Sequence, residues 1–368
     1  MPSAINDGVE LYFELHGNSE SSNGALVFAH GAGGNAASWW QQVPTFSDSY
    51  RVVVFDHRGF GRSVCPPEQQ NALLFESDLI AILDAAEIDS ATIVCQSMGG
   101  WTGVRAAVFN PDRVRGVFLA NTPGAVQNQV VADNWTQLTE RIAEGGGLIN
   151  RAISEPFALT HPDRALLYQQ IAAFNIGSAP NIRDNEVGVS PQQVLDSKVP
   201  FHVLASDLDP LFPPHVLSAV ADDIGADRSF VEGAGHSTYF EQPSTFNGIL
   251  GEFLDTQIFV PLGMTDTHFY LEASKVDRLA ALYTPTVNGS IREVTGEATE
   301  DGYLVYSATY NHGGPRTYFS GGAGLVSTAP DYLRFLQMFL NGGELDGVRL
   351  LSPRTVEMMT RNGIGELD

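Results

Sequence analysis

Three polar residues stand where short apolar runs break off. Ser97 lies in VCQSMGG, between the β-branched run ATIV and a glycine pair. His236 lies in VEGAGHSTYFEQP, just after the run RSFV. Between them, ASDLDPLFPP supplies Asp207 and Asp209. A serine hydroxyl is a weak nucleophile until a base takes its proton. A histidine serves as that base when a carboxylate fixes its tautomer and orientation. Asp209 is the preferred carboxylate, because Pro213 follows it within a turn, and Asp207 is the alternative. Such a set can attack a carbonyl carbon.

That attack also needs donors for the developing oxyanion. FAHGAGGNAASW is a glycine-rich turn after an apolar run, and the Ala32 N–H is one candidate donor. The Met98 N–H, directly after the serine at a helix start, is the other. Gly99 and Cys95 are small neighbours that let a strand-to-helix turn close around Ser97. Gly100, Gly103 and Ala106 thin the following helix so that it can approach the sheet. His30 is expected to support the oxyanion turn by hydrogen bonding. With Gly31 and Trp101 it is also a candidate for the substrate pocket. Asp56, His57 and Arg58 are expected to stabilise the turn after the next apolar run.

The elements that must carry these residues are legible as periodicity. ALVFAHG, RVVVFDHRG, ATIVCQS and VRGVFLA read as buried strands. ASWWQQVPTF, NALLFESDLIAILDAAE and MGGWTGVRAAVF read as the helices between them. Alternating β and α predicts a mostly parallel central sheet with helices on both faces. The strand rhythm stops over about 125–196, where VADNWTQLTERIAEGG and HPDRALLYQQIAAFN predict a helical lid. It resumes at VPFHVLASDLD and closes with the helix FNGILGEFLD near residue 255.

Net charge is −23, with 20 basic residues against 43 acidic ones. Such a surface repels nucleic acid and anionic membranes, so neither is expected as a partner. No apolar run approaches the ~18 residues that a membrane helix needs. The start MPSAINDGVELYF has neither the basic nor the apolar region of a secretory signal. Two cysteines make no disulfide framework. These features together predict a cytoplasmic protein. No cluster has metal-ligand spacing, and GAGG lacks a dinucleotide-binding context. Neither metal nor organic cofactor is expected.

HGAGG, DHRGFGRS, CQSMGG, the Asp209 turn and AGHSTYFEQP, in that order, resemble the α/β-hydrolase superfamily over residues 1–255. The likeness is greatest to its esterase and lactonase members. The chain order Ser, Asp, His is that family's order. Cys95 departs from it, standing where the turn usually has its first glycine. The resemblance implies acyl-enzyme hydrolysis of small esters or lactones. Perhydrolysis, amide hydrolysis or C–C bond hydrolysis on the same triad, or a non-catalytic binding role, are the alternatives.

Residues 256–368 have a different texture. IFVPLGMTDTHFY, LAALYTP and FSGGAGLVSTAPDYLRFLQMFLNGGELDGVRLLSPRTVEMM resemble the interior of a serine β-lactamase-like esterase. That family's Ser-x-x-Lys motif is absent here, and Tyr310-Asn311 is not its Tyr-x-Asn element. An α+β fragment without catalysis of its own is expected, with self-association as a possible role.

Overall fold

The computed structural model describes residues 2–17, 24–143, 152–175, 180–183, 185–259, 262–268, 271, 273–285, 290–294, 299–301, 304–306, 309 and 325–361. The chain divides into two compact units, Met1–Leu250 and Gly251–Asp368.

The first unit is built on an eight-stranded sheet. It opens with a hairpin, β1 (Ser3–Asn6) and β2 (Val9–His16). Asp7 and Gly8 join them, both at positive φ (47° and 77°), the backbone that tight hairpin turns require. Then come β3 (Ala25–Ala29), β4 (Arg51–Phe55), β5 (Ala91–Gln96), β6 (Val114–Ala120), β7 (Phe201–Ser206) and β8 (Asp227–Val231). The spatial order is β1-β2-β4-β3-β5-β6-β7-β8. β2 pairs antiparallel with β4, and every pair from β4 to β8 is parallel. Strands β3 and β5 are buried along their whole length, as a sheet covered on both faces demands.

Helices α1 (Val43–Phe46), α2 (Phe75–Ala85) and α3 (Gly99–Phe109) connect the early strands. The stretch ASWWQQVPTF is not one helix. A short 3-10 turn, Ala36–Trp39, is capped by the Asn35 side chain, and α1 starts separately with Pro44 in its first turn. Proline is favoured there because its missing N–H would be unpaired anyway.

Between β6 and β7 the chain forms α4 (Gln129–Ala143), α5 (Glu155–Thr160), α6 (Pro162–Ala173) and α7 (Pro191–Ser197). Helices α8 (Pro214–Ile224), α9 (Thr238–Glu241) and α10 (Pro243–Phe259) follow the later strands.

In the second unit, Tyr283–Pro285 pairs with Ile291–Glu293, Thr299–Asp301 with Leu304–Tyr306, and Glu344–Leu345 with Val348–Arg349. Helix Ala329–Leu340 is capped by Thr328. Helix Pro353–Thr360 is capped by Ser352. Leu262, Met264, Met338 and Leu345 form a small apolar cluster. The segment holding Tyr310-Asn311 lies outside the described residues. Among the described residues, no helix is long and apolar enough to cross a membrane.

Candidate active site

The register of the parallel strands decides which loops meet. Ala29 at the end of β3 pairs with Cys95 near the end of β5. Gln96 at the end of β5 pairs with Ala120 at the end of β6. The turns that follow these strands therefore emerge side by side at the carboxyl edge of the sheet, where open α/β sheets hold their ligands.

Ser97 occupies the turn from β5 into α3 with φ of 49°. A non-glycine residue seldom adopts that backbone, and it persists only where the surroundings enforce it. Here they do. A Cβ on Gly99 would lie 2.1 Å from the Ala29 carbonyl oxygen, and one on Gly100 would lie 2.7 Å from the Gly124 Cα. A Cβ on Gly103 would strike the Cys95 Sγ at 2.3 Å. Cys95 thus fills the space beneath the turn as a small buried apolar group, and burial pushes its thiol pKa well up. Thr122 donates its hydroxyl to the Ser97 carbonyl at 2.7 Å, fixing the turn from the β6 side.

Asp209, not Asp207, meets the histidine. Asp209 Oδ2 lies 2.9 Å from His236 Nδ1, and both residues are buried. Asp209 Oδ1 accepts from the backbone N–H groups of Leu211 (2.8 Å) and Phe212 (3.1 Å), which fixes the carboxylate plane. Asp207 instead accepts the Gly233 N–H at 2.7 Å and is exposed. A carboxylate only accepts, so Nδ1 of His236 carries the hydrogen and Nε2 presents its lone pair. Among the described residues, that buried Nε2 has no partner.

The oxyanion turn is held from behind. His57 N–H donates to His30 Nε2 at 3.0 Å, so His30 carries its hydrogen on Nδ1 and gives it to the Gly31 carbonyl at 2.8 Å. Burial lowers the pKa of His30, and it lowers that of His57 further, with His30 itself a second cause. Both rings are therefore kept neutral. Gly31 has no room for a side chain, since a Cβ would sit 2.2 Å from Gln96 Oε1 and 2.9 Å from Ser97 Cβ. Among the described residues, neither the Ala32 nor the Met98 N–H donates to a protein acceptor.

Ser97, Ala32, Met98 and Trp101 line one cavity of about 180 Å³, with Trp135 and Phe212 also on its wall. Of the three residues expected in a substrate pocket, only Trp101 lines it. His30 is 1% exposed and is engaged with the turn backbone, and Gly31 is pressed against Gln96. Asp56 accepts the backbone N–H groups of Ala36 and Arg62, each at 2.7 Å. Arg58 is buried against Asp78. Both tie the turn after β4.

Several residues that hold the site carry no motif of their own. Asn121, at positive φ, donates to Asp209 Oδ2 at 3.1 Å and to Ser206 Oγ at 2.7 Å. Gln96 donates to the His236 carbonyl at 3.1 Å. Glu241 accepts from Gly235 N–H and from the Ser154 hydroxyl (2.6 Å), joining the histidine loop to the start of α5. Burial raises the pKa of Glu241, against those hydrogen bonds. The signal for Asn121 and Thr122 is the polar pair in LANTPG at the carboxyl end of a parallel strand. Among the described residues, no group of three or more His, Cys, Asp and Glu could hold a metal ion.

This sheet order, with a strained serine after β5 and a His–Asp pair in the loops after β8 and β7, gives the first unit the α/β-hydrolase fold. Residues 24–168 match the family described as α/β hydrolase fold, and residues 245–365 match the β-lactamase family. The RutD protein of Azorhizobium caulinodans, which carries the name of a carbamate hydrolase, is 25% identical over 262 residues, 68% of this chain and 97% of that protein. The 3-oxoadipate enol-lactonase 2 of Acinetobacter baylyi is 35% identical over 122 residues, 33% of this chain and 45% of that protein. A solved structure described as Est816, an N-acyl homoserine lactone degrading enzyme, superposes with a TM-score of 0.56 at 25% identity, over 68% of this chain and 100% of its own.

Proposed function

We propose that the first unit is a serine hydrolase that cleaves small carboxylic esters or lactones through an acyl-enzyme. The observation that carries this reading is the buried His236 with Nδ1 on Asp209 and Nε2 unpartnered, in the same fold edge as a strained Ser97 that lines a cavity. Ser97 Oγ attacks the carbonyl carbon while His236 Nε2 takes its proton. The Ala32 and Met98 N–H groups receive the oxyanion. The tetrahedral adduct collapses, and His236 returns the proton to the departing alcohol oxygen. Water, deprotonated by the same histidine, then attacks the acyl carbon, and as the acyl–oxygen bond breaks His236 returns that proton to Ser97 Oγ, releasing the acid. The charge that develops on His236 is offset by Asp209, which Asn121 and two backbone N–H groups hold in place. No step needs a metal or an organic cofactor.

Amide or carbamate cleavage on the same residues is the second reading. It is favoured by the RutD relative, whose own length is covered almost completely. A panel of p-nitrophenyl esters from acetate to laurate, beside a p-nitrophenyl carbamate, separates the two. Wild type is expected to cleave the short esters fastest, and Ser97→Ala to cleave none. If Ser97→Ala retained the wild-type rate, the role given to Ser97 would be wrong. If the carbamate were cleaved and the esters were not, the second reading would replace the first.

A further inference from the structure

We propose that Arg183 is the counter-ion for a carboxylate carried by the substrate, which directs the reaction at Ser97 to esters or lactones with an anionic group several bonds from the scissile carbonyl. The proposal rests on the hydrolase reading of Ser97 and names its substrate class.

Arg183 lines the 180 Å³ cavity that holds Ser97. It also lines a neighbouring cavity of about 390 Å³, and Trp101, Trp135 and Ile182 border both. In each cavity Arg183 is the one charged residue among the described lining residues. The rest of the Ser97 cavity is mainly apolar, with Leu138, Leu211 and Phe212 prominent. A pocket of this kind fixes the pose of its ligand through the few polar groups it contains.

The guanidinium is held in place without being neutralised. Its carbon lies 4.5 Å from the centroid of the Trp135 ring. One terminal nitrogen donates to the Thr139 hydroxyl at 2.8 Å. Both partners are neutral and both belong to α4, so the side chain is oriented against the lid. Among the described residues, no carboxylate pairs with it, whereas Arg58, Arg105 and Arg113 each have one and Arg62 has two. A guanidinium has five N–H donors in a fork that matches a carboxylate. Stacking and one hydrogen bond leave most of that fork available.

The whole-molecule charge makes the arrangement informative. At −23, the protein repels an anion over most of its surface. A lone cation beside an apolar cavity reverses that sign locally, at the place where substrate would be retained. A carboxylate on Arg183 would leave the uncharged carbonyl end to reach Ser97 along the apolar lining of the same cavity.

The test uses the full chain and two esters of matched acyl length, monoethyl adipate and ethyl hexanoate, followed by pH-stat titration. Wild type is expected to have the lower KM for monoethyl adipate. Arg183→Gln should raise that KM by about fivefold, the upper range for an ion pair made by an exposed guanidinium. It should leave kcat and KM for ethyl hexanoate within about twofold, which also shows that the variant is folded. Arg183→Lys should recover part of the adipate KM. Equal KM values for the two esters in wild type, or equal losses on both in Arg183→Gln, would overturn the proposal. Ethyl hexanoate cleavage that disappears in Ser97→Ala supports the hydrolase reading whatever Arg183 does. Failure of wild type to cleave either ester would overturn that reading and this one with it.

Discussion

His236 and Asp209 show how a pair of residues acquires a role that neither has alone. The carboxylate is oriented by two backbone N–H groups and Asn121, so its second oxygen faces Nδ1 in one geometry. Replacing Asp209 by Asn should therefore do more than remove a charge. An amide can present its NH2 to Nδ1 and favour the tautomer whose lone pair is on the wrong nitrogen. The expected outcome is a fall in kcat of about 10³–10⁴, with little change in KM. Steady-state kinetics on a short p-nitrophenyl ester measures it, and a loss under about tenfold would contradict the role. At this scale much was legible in the sequence. Ser97 and His236 stand in short polar interruptions of apolar runs, which is a strong local signal. Asp207 against Asp209 was only weakly separable, because both follow the same strand and the choice depends on which carboxylate the turn buries. Asn121 showed only as part of a polar pair after its strand, and its partner Asp209, like the Gln96 contact to the His236 carbonyl and the Glu241 contact to Ser154, was not legible, since these partners lie 88, 140 and 87 positions away and meet only through the fold.

The elements meet under tight steric limits. Helix α3 can begin directly after Ser97 only because Gly99 lets it rest on the Ala29 carbonyl at the end of β3. Gly99→Ala inserts a methyl where there is no space, so either α3 or the turn carrying Ala32 must shift. The expected cost is about 1–3 kcal/mol of stability. Because the displaced turn holds a proposed oxyanion donor, kcat should fall as well. Urea denaturation read beside ester kinetics tests this, and an unchanged midpoint would show that the close approach is not needed. The lid is likewise tied to the loops of the site. Asn35 donates to the Ile171 carbonyl, Asn175 to the Gly34 carbonyl, and Asn134 to the Leu211 carbonyl. Tyr168 and Ser237 share a further hydrogen bond. The helical character of α4 and α6 could be read from composition, whereas these anchors could not. They join side chains to backbone carbonyls far along the chain, and such pairs leave no periodic trace.

At the scale of the whole molecule, the charge of −23 acts on stability as well as on ligands. Like charges packed on a folded surface repel, and salt screens them, with a Debye length of ~30 Å at 0.01 M and ~8 Å at 0.15 M. Raising NaCl across that range should therefore raise the melting temperature, by about 2–4 °C if the relief is ~1 kcal/mol. Differential scanning calorimetry checks the sign, and a lower melting temperature at 0.15 M would mean that specific ion pairs outweigh the net repulsion. The sequence changes texture beyond residue 255, where the strand rhythm of an α/β sheet stops, whereas the compact units divide between Leu250 and Gly251. The short strand pairs of the second unit were not foreseen, since two- and three-residue strands are below the length at which alternation can be recognised.

The account stands on one covalent event, and trapping it is the most direct measurement. Wild type would be mixed with p-nitrophenyl acetate, quenched in acid during turnover, digested and mapped by mass spectrometry. An acetyl group on Ser97, absent when His236 is replaced by Ala, is the predicted result. Turnover with no acetyl on Ser97, or with an acetyl on another residue that supports the same rate, would contradict it.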